Sequence, residues 1–124
     1  FLKEMLPSLY KNNIEVSLFL DADIDNIEVC KELGVNAIEF HTGEIANAFG
    51  EEEKLLINKL KNVIEYAANL GISVRAGHGL NFDKTKKIIN IKYLEELNIG
   101  HFIIGESIFY GLSEVVKKMK KIIS

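Results

Sequence analysis

Tryptophan is absent, and cysteine and proline occur once each, as Cys30 and Pro7, in a chain of 124 residues. A lone cysteine forms no internal disulfide and no thiolate zinc cluster, so a reducing compartment, the cytoplasm, is the default expectation. No apolar run approaches the roughly 18–20 residues that cross a bilayer. A basic start followed by an apolar stretch and a small-residue cleavage site is also missing; the opening Phe1-Leu2-Lys3-Glu4 reads as amphipathic helix. Positive charge is not in excess: 15 Lys+Arg against 18 Asp+Glu leave a net charge of −3. The uniform basic field of nonspecific nucleic-acid binding is therefore lacking. Without an initiator Met, and with one proline where a loop-rich enzyme carries several, the chain is expected to be a fragment.

What remains is the composition of a folded domain, 48 % hydrophobic and 27 % charged. Val16-Ser17-Leu18-Phe19-Leu20 is a β-rich apolar run ending at Asp21. Asp25, with Glu28 three residues on, suits the start of a helix whose stripe is Ile27, Cys30 and Leu33 and whose stop is Gly34. The stripe makes Cys30 a packed thiol rather than a nucleophile. A second strand spans 35–40 and ends at His41-Thr42-Gly43. A long helix follows, with Glu51, Glu52 and Glu53 at its positive end and an apolar face of Leu56, Leu60, Val63, Ile64 and Ala67. Gly71 stops it, and a third strand over 72–76 runs into Gly77-His78-Gly79. Residues 83–90 read as a short helix. Val115, Val116, Met119 and Ile122 mark the last one, with a solvated lysine run at its end.

Strands and helices alternate through short connections, which predicts a parallel sheet. Leu33-Gly34-Val35 recurs as Leu70-Gly71-Ile72, a period of 37 residues that suits either a barrel or a doubly wound sheet. The fourth strand has two readings. One places it at Phe102-Ile103-Ile104; the other at 93–99, with Gly100-His101 opening a helix to Tyr110.

In such folds the chemistry gathers at the carboxyl ends of strands. His78, between two glycines, can exchange protons near neutrality beside amides free for an anion; the plainer reading is a turn whose imidazole bonds a neighbour. Glu39 lies in an apolar strand and needs a partner, catalytic or structural. His41 is a polar loop residue or a ligand. Asp21 and Asp23 suit helix caps. No Walker loop, dinucleotide fingerprint or zinc-ligand spacing is present.

Four blocks carry a family resemblance: Val16-Ser17-Leu18-Phe19-Leu20-Asp21-Ala22-Asp23, Ile38-Glu39-Phe40-His41-Thr42-Gly43, Ala76-Gly77-His78-Gly79-Leu80, and Leu97-Asn98-Ile99-Gly100-His101-Phe102-Ile103-Ile104-Gly105. In this order they resemble the C-terminal half of the pyridoxine 5′-phosphate synthase family. The resemblance implies an α/β fold in which residues 1–124 form a single partial domain, the last four βα units of a (βα)8 TIM barrel preceded by a helix. It implies condensation of 3-amino-2-oxopropyl phosphate with 1-deoxy-D-xylulose 5-phosphate to pyridoxine 5′-phosphate, phosphate and water. No metal or organic cofactor is implied, nor a nucleic-acid or membrane partner; the partners are phosphorylated small molecules, and the assembly a cytoplasmic homo-octamer.

By motif, His78 resembles the family's proton donor and Glu39 its transition-state-stabilising carboxylate. Gly79, Gly100 and His101 match positions that bind the amino-ketone phosphate, which favours the second reading of the fourth strand. Glu106 departs from the basic or small residue expected there. The remaining acid–base residues belong to the family's N-terminal half, so this chain alone is expected to be inactive. Half a barrel would also leave open strand edges and uncover the apolar layers of the interior. Two further readings stand beside this one. One is another phosphate-binding barrel, with Ile104-Gly105-Glu106-Ser107 as its phosphate loop; the other is a noncatalytic half-barrel that needs a partner.

Overall fold

A computed structural model describes residues 1–124. In chain order the elements are α1 (Leu2–Lys11), β1 (Ser17–Leu20), α2 (Ile24–Glu32), β2 (Ala37–His41), α3 (Gly43–Asn47), α4 (Gly50–Asn69), β3 (Ser73–Gly77), α5 (Phe82–Ile88), β4 (Leu94–Asn98), α6 (His101–Tyr110) and α7 (Leu112–Ile123). All strand pairs are parallel and the spatial order is β1-β2-β3-β4. A doubly wound sheet reverses its order at a switch point; this one proceeds in sequence, as barrel strands do. The fourth strand follows the second of its two readings, and α6 begins at His101.

The two helix stops use one device. At the end of α2, Val35 N–H bonds Cys30 C=O at 2.9 Å and Gly34 N–H bonds Lys31 C=O at 3.0 Å. At the end of α4, Ile72 N–H bonds Ala67 C=O at 3.1 Å and Gly71 N–H bonds Ala68 C=O at 2.9 Å. Both are Schellman motifs, and they need a left-handed residue after the cap. Gly34 has φ +71° and Gly71 φ +78°, which a side chain would resist. At the other end of α2 the cap is Asp23, not Asp25: its carboxylate accepts from Asp25 N–H at 2.8 Å. Asp25 is already inside the first turn, where its charge suits the dipole.

The sheet's two faces differ because side chains alternate. Ile38, Phe40, Val74 and Ala76 are fully buried on the helix side, with Ile27, Leu60, Ile64 and Ile88. Each large aliphatic or aromatic side chain so placed contributes about 1.5–3 kcal/mol. Cys30 packs in this core, and burial pushes its thiol pKa up. The opposite face is mostly polar, contrary to the expectation of exposed apolar layers. In register it presents Phe19 beside Glu39 beside Arg75 beside Glu96, and Gly77 beside Asn98. Arg75 bridges Glu15 at 2.5 Å and Glu96 at 3.5 Å. The apolar exposure sits instead on α6, where Ile104, Ile108 and Phe109 are 61 %, 78 % and 80 % exposed.

Glu53 stands in the first turn of α4 as expected, but with partners that its neighbours in sequence do not reveal. It is buried at the start of α4, with Lys84 Nζ 2.7 Å and Lys87 Nζ 2.6 Å from its two carboxylate oxygens. Those two lysines hold its carboxyl below the usual range. Lys84 Nζ also donates to Ala48 C=O, so α5 is tied to the connection between α3 and α4. Val116, expected on the buried stripe of α7, is 37 % exposed, whereas Val115 and Met119 are buried.

Candidate active site

The carboxyl ends of β2 and β3 are stitched together by Thr42. Its N–H donates to Gly77 C=O at 2.8 Å. Its buried hydroxyl lies 2.7 Å from Gly77 O and 2.8 Å from His78 O, with one proton to share between them. The chain there adopts positive φ twice, +82° at His78 and +77° at Gly79. A non-glycine residue in that region costs roughly 1–2 kcal/mol, so His78 is held in a conformation its own backbone disfavours. Gly79 has no room for a side chain: a Cβ would lie 2.7 Å from Ala46 Cβ.

The turn sets His78 against His41, with ring centroids 4.6 Å apart. Phe19 meets His41 edge-on at 5.3 Å. Asp21 Oδ1 is 3.6 Å from His41 Nδ1 at an exposed position. Asp21 therefore ends β1 beside an imidazole, while Asp23 caps α2. On the neighbouring strand Glu39 leans across β3: its Oε2 accepts from Asn98 Nδ2 at 2.8 Å.

A cavity of about 430 Å³ lies over this rim, and Glu39, His78, Gly79, Gly100 and His101 all line it. Phe19, Leu80, Asn98, Ile99 and Phe102 complete the wall. The five residues to which the resemblance gives a role are thus brought to one space, while His41 and Asp21 border a neighbouring one. His41 contacts it only through His78 and Phe19, and Glu106 is not among its lining residues. Gly100 caps α6 and His101 opens it, so amide donors without a partner in the helix, together with the positive end of the dipole, border the cavity. Such a terminus favours an anion such as a phosphate. The role of Asn98 is not legible in the sequence, because its partner Glu39 lies 59 residues away. No three His, Cys, Asp or Glu side chains are arranged to hold a metal ion, and no helix is long and apolar enough to cross a membrane.

Ile104-Gly105-Glu106-Ser107 lies inside α6 and offers no loop for a phosphate, which removes the sequence feature that favoured a different phosphate-binding barrel.

Known proteins resemble this chain along its whole length. A family model described as "Pyridoxal phosphate biosynthesis protein PdxJ" matches residues 1–124. Among curated proteins, the pyridoxine 5′-phosphate synthase of Sulfurihydrogenibium sp. (strain YO3AOP1) is 46 % identical over 123 residues, covering 99 % of this chain and 51 % of the relative. Those of Prochlorococcus marinus subsp. pastoris and Akkermansia muciniphila are 41 % and 38 % identical, covering 100 % and 98 % of this chain and 52 % and 51 % of the relatives. The chain spans about half the length of the curated relatives it matches, and its four parallel strands in sequential order, flanked by helices, are consistent with half of a (βα)8 barrel. With the family model matched from the first residue to the last, this chain belongs to the PdxJ family of pyridoxal phosphate biosynthesis proteins.

Proposed function

We propose that this chain supplies half of the active site of a pyridoxine 5′-phosphate synthase, which condenses 3-amino-2-oxopropyl phosphate with 1-deoxy-D-xylulose 5-phosphate to pyridoxine 5′-phosphate, phosphate and water. The observation that carries the proposal is the shared cavity: His78, Glu39 and the N-terminus of α6 face one space. In this reading the phosphate of the amino ketone rests against Gly79, Gly100 and His101, where backbone amides and the dipole favour it. His78 donates a proton to a leaving oxygen, and Glu39 faces the positive charge that develops as the imine forms. Schiff-base formation, phosphate elimination and ring closure each move protons, and a positioned imidazole near its working pH contributes about 10²–10⁴-fold to such a step.

The remaining acid–base groups and the deoxyxylulose phosphate contacts come from the segment that the longer relatives possess. The 124-residue chain alone therefore does not turn over. The assembled enzyme is a cytoplasmic homo-octamer that binds phosphorylated small molecules, without nucleic acid or a resident cofactor. The test is to supply both substrates to a barrel of the relatives' full length carrying these residues. Pyridoxine 5′-phosphate and inorganic phosphate should appear in equal amounts, and sedimentation should give eight subunits. Phosphate binding without product would favour a noncatalytic half-barrel.

A further inference from the structure

We propose that Asn98 is a positioning residue that holds the Glu39 carboxylate over Gly77, across three strands, without placing a countercharge on it. The proposal rests on the reading of Glu39 as the carboxylate of the condensation.

Glu39 has a cationic neighbour in register, Arg75 on β3, and opposite charges side by side on strands normally pair. Here they do not. Arg75 is engaged by Glu15 at 2.5 Å and by Glu96 at 3.5 Å. Glu39 turns toward β4 instead and accepts from Asn98 Nδ2 at 2.8 Å. The path between them passes above Gly77, and only a glycine allows it. A Cβ at Gly77 would overlap Glu39 Oε1 and lie 2.6 Å from Asn98 O and 3.2 Å from Asn98 Cβ. The arrangement thus has three parts: a cation committed elsewhere, a strand position without a side chain, and a neutral amide donor. An amide orients a carboxylate as an arginine does, but does not neutralise it. A carboxylate so held has no cationic partner to give up when a cation forms in the cavity, and needs no reorganisation when that charge appears.

The charged and titratable groups around Glu39 are Arg75 beside it, His41 two residues on, and His78 and His101 on the cavity wall. These are shared by wild type and variants, so the ratio of rates at each pH isolates the Asn98 contact. In a barrel of the relatives' full length, Asn98→Ala should lower kcat about 10- to 100-fold, the scale of a misplaced group. KM for the amino-ketone phosphate should stay within about twofold, since other groups hold that phosphate. Asn98→Asp keeps the shape but sets two carboxylates together, which bond each other only when they share a proton. Its kcat relative to wild type should therefore rise as the pH falls from about 7 to about 5. A crystal structure of Asn98→Ala gives a readout free of activity: Glu39 should leave its place over Gly77. Unchanged kcat in Asn98→Ala, a flat ratio for Asn98→Asp, or Glu39 unmoved in the crystal would each overturn the proposal. A wild-type barrel that makes no pyridoxine 5′-phosphate would defeat the functional reading instead, and the position of Glu39 in the Asn98→Ala crystal would still decide this one.

Discussion

The imidazoles of His41 and His78 lie 4.6 Å apart between centroids and 40° from parallel, though they end different strands. Gly43 makes this possible. A Cβ there would stand 2.6 Å from His41 Cε1 and 3.3 Å from His78 Cδ2. Gly43→Ala must displace His41, and with it the ring that backs His78. Overpacking of this kind costs about 1–3 kcal/mol, and under the proposed role of His78 as proton donor its displacement should cost about 10-fold or more in rate. Urea unfolding and kcat of the full-length Gly43→Ala protein should both fall; an unchanged kcat would show that His78 does not depend on the His41 ring.

His78→Asn should separate chemistry from binding. The amide keeps a polar group at the turn but cannot donate a proton as an imidazolium does. Turnover should drop by about 10²–10⁴-fold, while inorganic phosphate should protect the barrel from heat as well as it protects wild type. Equal losses in both would make His78 a binding residue only.

Thr42→Val tests the stitch between β2 and β3. The methyl replaces a hydroxyl that bonds at Gly77 O and His78 O, and Gly77 O keeps its bond from Thr42 N–H. His78 O loses its side-chain partner at a buried edge. Stability should fall by about 1–3 kcal/mol, the cost of one unmatched buried polar group. A urea midpoint within error of wild type would mean that the turn is held by other contacts.

Phosphate should stabilise the full-length protein through the start of α6. A ligand at 100 times its Kd stabilises by about 2.7 kcal/mol, visible as a rise in melting temperature. His101→Ala should reduce that rise. Protection by phosphate that is identical in wild type and His101→Ala would place the anion elsewhere.

Glu53 should make stability depend on acid. Lys84 and Lys87 hold its carboxyl below the usual range, so the folded state releases its proton more readily than the unfolded chain. Its contribution is fully present above the unfolded value, about 4.3 for a glutamate. It is lost as the pH falls through the lower, folded value. Urea midpoints of wild type and Glu53→Gln should differ at pH 7 and converge in acid. A difference that stays constant down to the acid limit would show that Glu53 stabilises by packing and not by charge.

The local rules of the chain were legible in the sequence. Gly34 and Gly71 end helices because glycine alone adopts their φ without strain, and the apolar stripes of α2 and α4 follow the helical period. Pattern offers Gly100-His101 as a helix start in one of two readings, and the family likeness favours that one. Leu94-Glu95-Glu96-Leu97 reads more readily as a helix end, because apolar residues three apart fit the helical period and break the alternation of a strand; a register shift between Val74 and Arg75 sets Leu94 beside Val74 and Leu97 beside Ala76 all the same. Tertiary pairing decided it: Arg75 lies beside Glu96 and Gly77 beside Asn98, and the strand gains its hydrogen bonds from β3. The same holds for side chains whose partners are distant in sequence. Glu53 looked like a dipole-facing glutamate until α5 brought Lys84 and Lys87 from 31 and 34 residues away. Asn98 had no visible task until the sheet set it across Gly77 from Glu39. Composition and periodicity act over a turn or a strand, so they determined the alternation of strands and helices but neither β4 nor the short α3. Which carboxylate meets a lysine, and which meets an amide, depends on contacts made only when the strands come into register.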